Sequence, residues 1–174
     1  FSAALKYALR QDPDVIMVSE LRDMETIQAA ISAAETGHLV LGTLHTIDAP
    51  RSLDRLIDVF PAGQQSQIIA QLANCLRAVV SQRLIKTTLS DKRVLAEEVM
   101  IVNHPIRNCI RERKLEQIDG LIEIGRKDGM FTIDHHLCEL LRKGKINVDD
   151  AYSASRDNTV IDNFLEDRNR RTDG

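Results

Sequence analysis

Two residues with side chains suited to phosphoryl transfer or acid–base chemistry, Glu20 and His45, each follow a short apolar run. The runs at 15–18 and 39–41 are continuous rather than alternating, which predicts strands covered on both faces of a parallel sheet. Ligands of such sheets bind beyond the carboxyl ends of the strands, where both residues would lie. A carboxylate there can hold a Mg²⁺-bound water or orient an attacking one.

A simpler alternative stays open for both residues. Glu20 could begin a turn and pair with Arg22 in solvent, and a lone histidine at a strand end is more often a satisfied polar residue than a catalyst. His38, seven residues before His45, would lie roughly 23 Å from it along a regular strand, so one zinc ion could not bridge the two.

A zinc site elsewhere and cysteine chemistry are both disfavoured. His135 and Cys138 share a helix face, but no second pair of ligands accompanies them. Cys75 and Cys109 lie among apolar residues and are predicted to be small core side chains. The three cysteines are far apart and form no CxxC, which favours reduced thiols in a cytosolic compartment.

Composition excludes further classes of protein. The 174 residues are 43% hydrophobic and 28% charged, enough for a packed core, and no apolar run approaches the length of a membrane-spanning helix. The net charge of −3 argues against a generally basic nucleic-acid binder. One basic cluster could still meet phosphate or nucleic acid, although it is more often a solvated face or a partner for acidic neighbours. It consists of Arg107, Arg111, Arg113 and Lys114, with no aromatic residue interleaved.

Helices and strands alternate in the first half of the chain. Apolar residues from Phe1 to Leu9 recur at helical spacing before the first strand, and a second helix is predicted from its cap Asp23 to Gly37. A third helix begins near Asp48 and ends near Phe60. This order is typical of an α/β fold with a mainly parallel sheet.

The second half is predicted to be mostly helical. A long amphipathic helix carries apolar residues from Ile68 to Val80, and a hairpin turns at 89–93. Helices are then expected at 105–113, 115–125, 132–143, 148–154 and 159–167. The resulting domains are an α/β core at 1–102, an all-helical lobe at 103–165 and a fraying tail at 166–174.

Four segments resemble motifs of the bacterial secretion ATPases. The stretch from Asp12 to Asp23, DPDVIMVSELRD, resembles their Walker B segment, and ETGHLVLGTLHT, from Glu35 to Thr46, resembles their His box. The stretch IRNCIRE, 106–112, resembles the AIRNLIRE motif of the PilT-type retraction ATPases, and GMFTID, 129–134, is similar to the GMQTLD that follows it there.

The resemblance implies a RecA-like core in a homo-hexameric ring that hydrolyses ATP with Mg²⁺ and powers type IV pilus retraction and twitching motility. It implies a cytoplasmic location at the inner-membrane pilus machinery, with the platform protein as a partner. Glu20 matches the glutamate that polarises the attacking water, with Mg²⁺ held through water, and Arg22 matches the arginine beside it. His38 and His45 match the two His-box histidines near the nucleotide.

The retraction motif is matched with small departures. Six residues match: Ile106, Arg107, Asn108, Ile110, Arg111 and Glu112. Cys109 stands where the family usually has Leu, Pro105 where it has Ala, and Ser19 where Gly usually precedes the Walker B glutamate. None of these removes a charged motif residue, so they bear on the subfamily more than on function, and a role in a type IV secretion machine stays open.

The sequence contains no phosphate-binding loop of the form GxxxxGK[ST]. Gly144-Lys145 is followed by Ile146 and lacks the preceding glycine. We therefore expect this chain to be the C-terminal half of such an ATPase, inactive alone. A non-enzymatic module that joins or regulates a ring is the alternative that this absence favours, whereas a helical nucleic-acid binder is disfavoured by the overall charge.

Overall fold

A computed structural model describes Tyr7 and residues 11–88 and 90–172. The helix predicted from Phe1 to Leu9 lies outside the described residues except for Tyr7, which is helical. The chain forms two compact units. The first comprises the described residues up to Thr46, with Pro50–Ala78 and Val102–Ile118; the second comprises Ile47–Ala49, Val79–Ile101 and the described residues from Asp119 onward.

The first unit is built on two parallel strands joined by a helix. Strand β1 (Val15–Val18) pairs in register with β2 (Leu39–Gly42), so that Val15 lies opposite Leu39 and Val18 opposite Gly42. Helix α1 (Met24–Glu35) connects them, and the Asp23 side chain accepts a hydrogen bond from the Thr26 amide at its start. The predicted α/β order and the Asp23 cap are therefore confirmed.

Among the described residues, side chains cover one face of this sheet. Ile16 and Val18 are buried against Ala30 and Ala33 of α1. Val15, Met17, Leu39 and Leu41 alternate with them on the opposite face and are about half exposed or more, up to 71% for Met17. The prediction of strands covered on both faces is thus wrong for the described residues, because they place no second layer of side chains over this face.

Two further helices complete the core of the first unit. Helix α2 spans Ala49–Asp58 and helix α3 spans Ala62–Cys75. Their apolar faces pack with α1 in one buried cluster of Ile27, Ile31, Leu56, Ile57, Phe60, Ile68, Ile69 and Leu72. The long helix was predicted to continue to Val80, but the backbone becomes extended at Leu76 and the β-branched Val79 and Val80 belong to a strand.

The second unit contains a hairpin and most of the later helices. Strands β3 (Ala78–Thr87) and β4 (Ser90–Ile101) form a two-stranded sheet, and the connection is shorter than the predicted turn because Lys92 and Arg93 already lie in β4. Helices α6 (Ile133–Arg142) and α7 (Val148–Ala154) share a buried cluster with Ile85 and Ala96 of the hairpin. Alternation within the strands leaves Val80 and Leu84 exposed on the other side.

Helix α4 (His104–Arg111) begins at the cap Asn103 and belongs to the first unit. Short 3-10 turns at Leu115–Gln117 and Gly125–Asp128 flank helix α5 (Ile118–Ile124), and helix α8 spans Asn158–Thr172. The units therefore do not follow the predicted boundary at 102: the hairpin joins the later helices, and α4 joins the α/β core.

The tail at 166–174, which the sequence predicts to fray, is helical as far as Thr172. Residues 166–172 continue helix α8 as one regular element, although apolar residues are few. The pair Glu166–Arg170, four residues apart on the same helix face, lies 3.6 Å apart and supports the extension.

Candidate functional site

Glu20 and His45 lie together just beyond the carboxyl ends of β1 and β2. The His45 Nε2 and the Glu20 Oε1 are 3.7 Å apart, and the side chains are 84% and 42% exposed. Arg22 is exposed and has no ion-pair partner among the described residues, so Glu20 faces His45 rather than Arg22. The parallel register brings the two together, because both strands end at the same edge.

The backbone beneath this pair, which we call the site rim (19–21 and 43–45), is held by further cross-strand bonds. The Leu21 amide donates to the Thr43 carbonyl at 2.9 Å, and the Thr43 hydroxyl donates to the Ser19 carbonyl. Pairing therefore continues past the regular strands and fixes the main chain on both sides of Glu20.

Gly42 is a site residue that the sequence analysis did not single out. A β-carbon built at this position would lie 2.6 Å from Cδ1 and 2.8 Å from Cγ of Leu21, the residue next to Glu20. Only glycine allows this close approach without moving Leu21. A glycine inside an apolar strand pattern is the signal that could have revealed it.

His38 lies at the opposite, amino end of β2. Its Nδ1 is 3.0 Å from the Ala33 carbonyl oxygen and 3.1 Å from the Thr36 hydroxyl, so it closes the end of α1. The structure therefore does not bring His38 to Glu20 and His45 within one chain.

The residues of the candidate retraction motif lie on α4. Ile106 and Ile110 are fully buried, whereas Asn108 and Glu112 are exposed. The Arg107 Nε donates to the Ala73 carbonyl at 2.8 Å, and the Arg111 Nη2 donates to the Asn74 Oδ1 at 2.8 Å. Both guanidinium groups thus bind the last turn of α3, where a cation is favourable to the helix dipole.

The rest of the basic cluster is also engaged within the chain. Arg113 donates to the carboxylate of Asp58 at 3.1 Å and to the Gln65 side chain at 2.9 Å. Lys114 pairs with Glu112 at 2.6 Å. These partners weigh against a nucleic-acid surface, because the cations already have acceptors.

The cysteines and the candidate zinc pair behave as structural residues. Burial raises the pKa of the Cys138 thiol to about 11, and it also raises the pKa of Cys75 and of Cys109. His135 is within 2.9 Å of the Thr132 hydroxyl, and burial lowers its pKa. Among the described residues, no group of three or more His, Cys, Asp or Glu side chains could hold a metal ion.

The described part of the chain also contains no helix with the length and apolar character needed to cross a bilayer.

Comparisons to known proteins agree with the observed fold. Residues 1–157 match the family model described as Type II/IV secretion system protein. The chain belongs to this family.

Two relatives of this chain are proteins of pilus-based motility. The chain is 50% identical over 146 residues to a twitching motility protein of Neisseria gonorrhoeae, covering 84% of this chain and 39% of the relative. It is 49% identical over 164 residues to the type IV pilus retraction ATPase PilT of Pseudomonas aeruginosa, covering 94% and 46%. This chain therefore spans less than half the length of these relatives.

Solved structures agree with the fold. A crystal structure of the pilus retraction motor PilT with bound ADP superposes with a TM-score of 0.81 at 46% identity, covering 90% of this chain and 43% of that one. The ATPase DotB of Legionella pneumophila superposes with a TM-score of 0.75 at 26% identity, covering 87% and 41%. The predicted α/β, RecA-like class is confirmed by the first of these.

Proposed function

We propose that this chain is part of an ATP-hydrolysing motor subunit that powers type IV pilus retraction and twitching motility. The observation that carries the proposal is the pairing of Glu20 with His45 at the carboxyl edge of parallel strands, on a chain 49% identical to a pilus retraction ATPase. Both side chains are solvent-accessible, as groups that meet a nucleotide must be.

Each site residue has a proposed role. Glu20 orients the attacking water, while Arg22 beside it supplies a positive charge that has no ion-pair partner among the described residues. His45 contacts the nucleotide near the reacting phosphate. His38, at the far end of β2, acts at a separate place from which it relays the nucleotide state to a neighbouring subunit.

Mg²⁺ fits this site as an ion shared with the substrate. It commonly binds through one or two carboxylates, several waters and phosphate oxygens, and Glu20 supplies one accessible carboxylate. The ion would neutralise charge on the phosphates. Binding the β- and γ-phosphates requires a glycine-rich loop that these 174 residues do not contain. We therefore propose that the chain acts together with a polypeptide that supplies this loop.

The remaining features suit a ring motor. We propose a homo-hexamer on the cytoplasmic side of the inner membrane that engages the pilus platform protein. The motif helix α4 would transmit movement rather than bind nucleotide, since Arg107 and Arg111 bind the end of α3. A type IV secretion ATPase is the second candidate, supported by the similarity to DotB. Restoration of twitching in a pilus-retraction-deficient strain separates the two.

The test of the catalytic assignment is Glu20→Gln in the assembled ATPase, meaning this chain together with the phosphate-binding polypeptide. Turnover should fall by about 100-fold or more, because the amide cannot accept a proton from water. Affinity for ATP, measured with a fluorescent analogue, should remain within about threefold, because water activation is not needed for binding. Turnover at the parent rate would contradict the role of Glu20.

A matched control is Asp58→Asn. Asp58 is an exposed carboxylate of the same unit that lies outside the matched motifs and accepts a hydrogen bond from Arg113 at 3.1 Å. Turnover of this variant should equal that of the parent.

A further inference from the structure

A buried ion cluster lies in the second unit around Arg156, a residue that no motif marks. Its Nη1 is 3.0 Å from the Glu98 Oε2 and 3.7 Å from the Asp48 Oδ2, and its Nη2 donates to the Asp119 carboxylate. We call these four residues the Arg156 cluster. One guanidinium thus holds three carboxylates from separate segments of the chain.

The cluster is deeply buried for a group of charges. Glu98 is fully buried, Asp48 is 5% exposed, and the Arg156 side chain is 21% exposed. Burial raises the pKa of Glu98, although the Ala49 amide and Arg156 oppose this shift. Buried charges persist only when they are well paired, so each member depends on the others.

The position of Arg156 is itself fixed. Its backbone amide donates to the Asp134 Oδ1 at 2.8 Å, and the neighbouring Ser155 hydroxyl donates to the same atom at 2.8 Å. Asp134 is 5% exposed, at the start of α6. Arg156 is therefore a preset anchor rather than a mobile surface arginine.

What this anchor holds is the end of the loop that follows β2, residues 43–48, which contains His45. Asp48 pairs with Arg156, and the Ala49 amide donates to the Glu98 Oε1 at 3.0 Å. Ile47–Ala49 accordingly pack with the second unit, whereas His45 and Thr46 belong to the first. Only two residues separate His45 from Asp48 along the chain.

We propose that Arg156 is a positioning residue for the ATPase reaction, which sets His45 through the anchored segment Ile47–Ala49. This inference rests on the proposed function. Arg156 does not touch the reacting atoms; it fixes the main chain that follows the imidazole. Small displacements of a catalytic group cost large factors in rate, up to about 100-fold for 1 Å.

The first experiment measures amide hydrogen exchange in the assembled ATPase. Arg156→Met, which keeps an unbranched apolar stem but removes the guanidinium group, should speed exchange at Ala49 by about tenfold or more. The matched control is Arg83→Met, because Arg83 Nη1 donates to the Ala154 carbonyl at 2.6 Å and does not bind 47–49. Exchange at Ala49 that is unchanged by Arg156→Met would overturn the positioning claim.

The second experiment measures steady-state ATP hydrolysis per folded protein. Arg156→Met and the milder Asp48→Asn should each lower kcat about tenfold with KM within about threefold. The double variant should be no slower than Arg156→Met alone, because Arg156→Met already removes the contact that Asp48→Asn weakens. Arg156→Lys should restore part of kcat, while Arg83→Met should leave kcat unchanged.

The outcomes separate this inference from the proposed function. If Glu20→Gln is inactive but Arg156→Met and Asp48→Asn both keep the parental kcat, the role of Arg156 in the reaction is overturned. Parental turnover in Glu20→Gln would overturn the proposed site instead. In that case the rate of amide hydrogen exchange at Ala49 in Arg156→Met would still decide whether Arg156 positions the loop.

Discussion

The Glu20–His45 pair and the Arg156 cluster each place carboxylates against a cationic or ionisable group, yet the first is exposed to solvent and the second is buried. Glu20 and His45 meet at 3.7 Å in solvent, with 42% and 84% of their side chains exposed. Glu98 is fully buried and lies 3.0 Å from a guanidinium that also binds Asp48 and Asp119. The first pair is open to a ligand, and the second is closed to one.

This difference in burial determines how much each group of charges contributes to folding. Exposed ion pairs contribute little to folding, because water screens them, so the fold does not depend on the contact between Glu20 and His45. Buried charges must be satisfied by the protein itself, so the Arg156 cluster is committed to holding the chain. The main-chain link between them is short, since Asp48 follows His45 by three residues.

The largest expected effect separates the two regions by stability. Arg156→Met removes the cation from buried Glu98 and Asp48 and should lower the free energy of unfolding by about 3–5 kcal/mol. His45→Ala also removes a partner from a carboxylate, but in solvent, and should change it by less than about 1 kcal/mol. Urea unfolding of both variants makes the comparison; equal losses would show that the two pairs are alike.

A smaller effect is expected from the backbone of the site rim. Gly42→Ala places a β-carbon 2.6 Å from Leu21 Cδ1 and should cost about 1–3 kcal/mol by overpacking. The control is Gly63→Ala in α3, where a β-carbon meets nothing within 4 Å and should stabilise by about 0.5 kcal/mol. Thermal unfolding tests the pair, and a neutral Gly42→Ala would mean that the rim can rearrange.

The smallest expected effect concerns pH and the buried carboxyl. Burial raises the pKa of Glu98 above 4.5, so the stability tied to this group is fully present below about pH 4.5 and is lost as pH rises through the folded-state pKa. Glu98→Gln cannot titrate, so its free energy of unfolding should rise relative to the parent as pH increases above about 4.5. Denaturant titrations at several pH values measure this difference; a constant difference would contradict the raised pKa.

Local features of the fold were predictable because local chemistry determines them. Asp23 caps α1 as its residue type suggests, and the Gly37 that follows the helix adopts a φ of +105°, which favours glycine. Parallel pairing then follows from the helix between two apolar runs, and it places Glu20 beside His45 without any knowledge of the rest of the structure.

Features that depend on distant partners could not be predicted in this way. Arg156 lies in a polar loop, and its partners Asp48, Glu98 and Asp119 are separated from it by many residues with no characteristic spacing. Arg107 likewise donates to Ala73, a carbonyl that no sequence pattern identifies. The prediction that the helix ending at Cys75 continues to Val80 was wrong for a related reason. Periodicity alone does not distinguish the end of a helix from a following strand.

The face of β1 and β2 that the described residues leave exposed has a practical consequence for handling this polypeptide. Val15, Met17, Leu39 and Leu41 form an aliphatic patch on a sheet that has just two strands among the described residues. Patches of this kind bind hydrophobic fluorescent dyes and favour aggregation as the protein concentration rises. Purification of these 174 residues by themselves should therefore require dilute solutions, and a charged substitution at Met17 should improve the yield of soluble material.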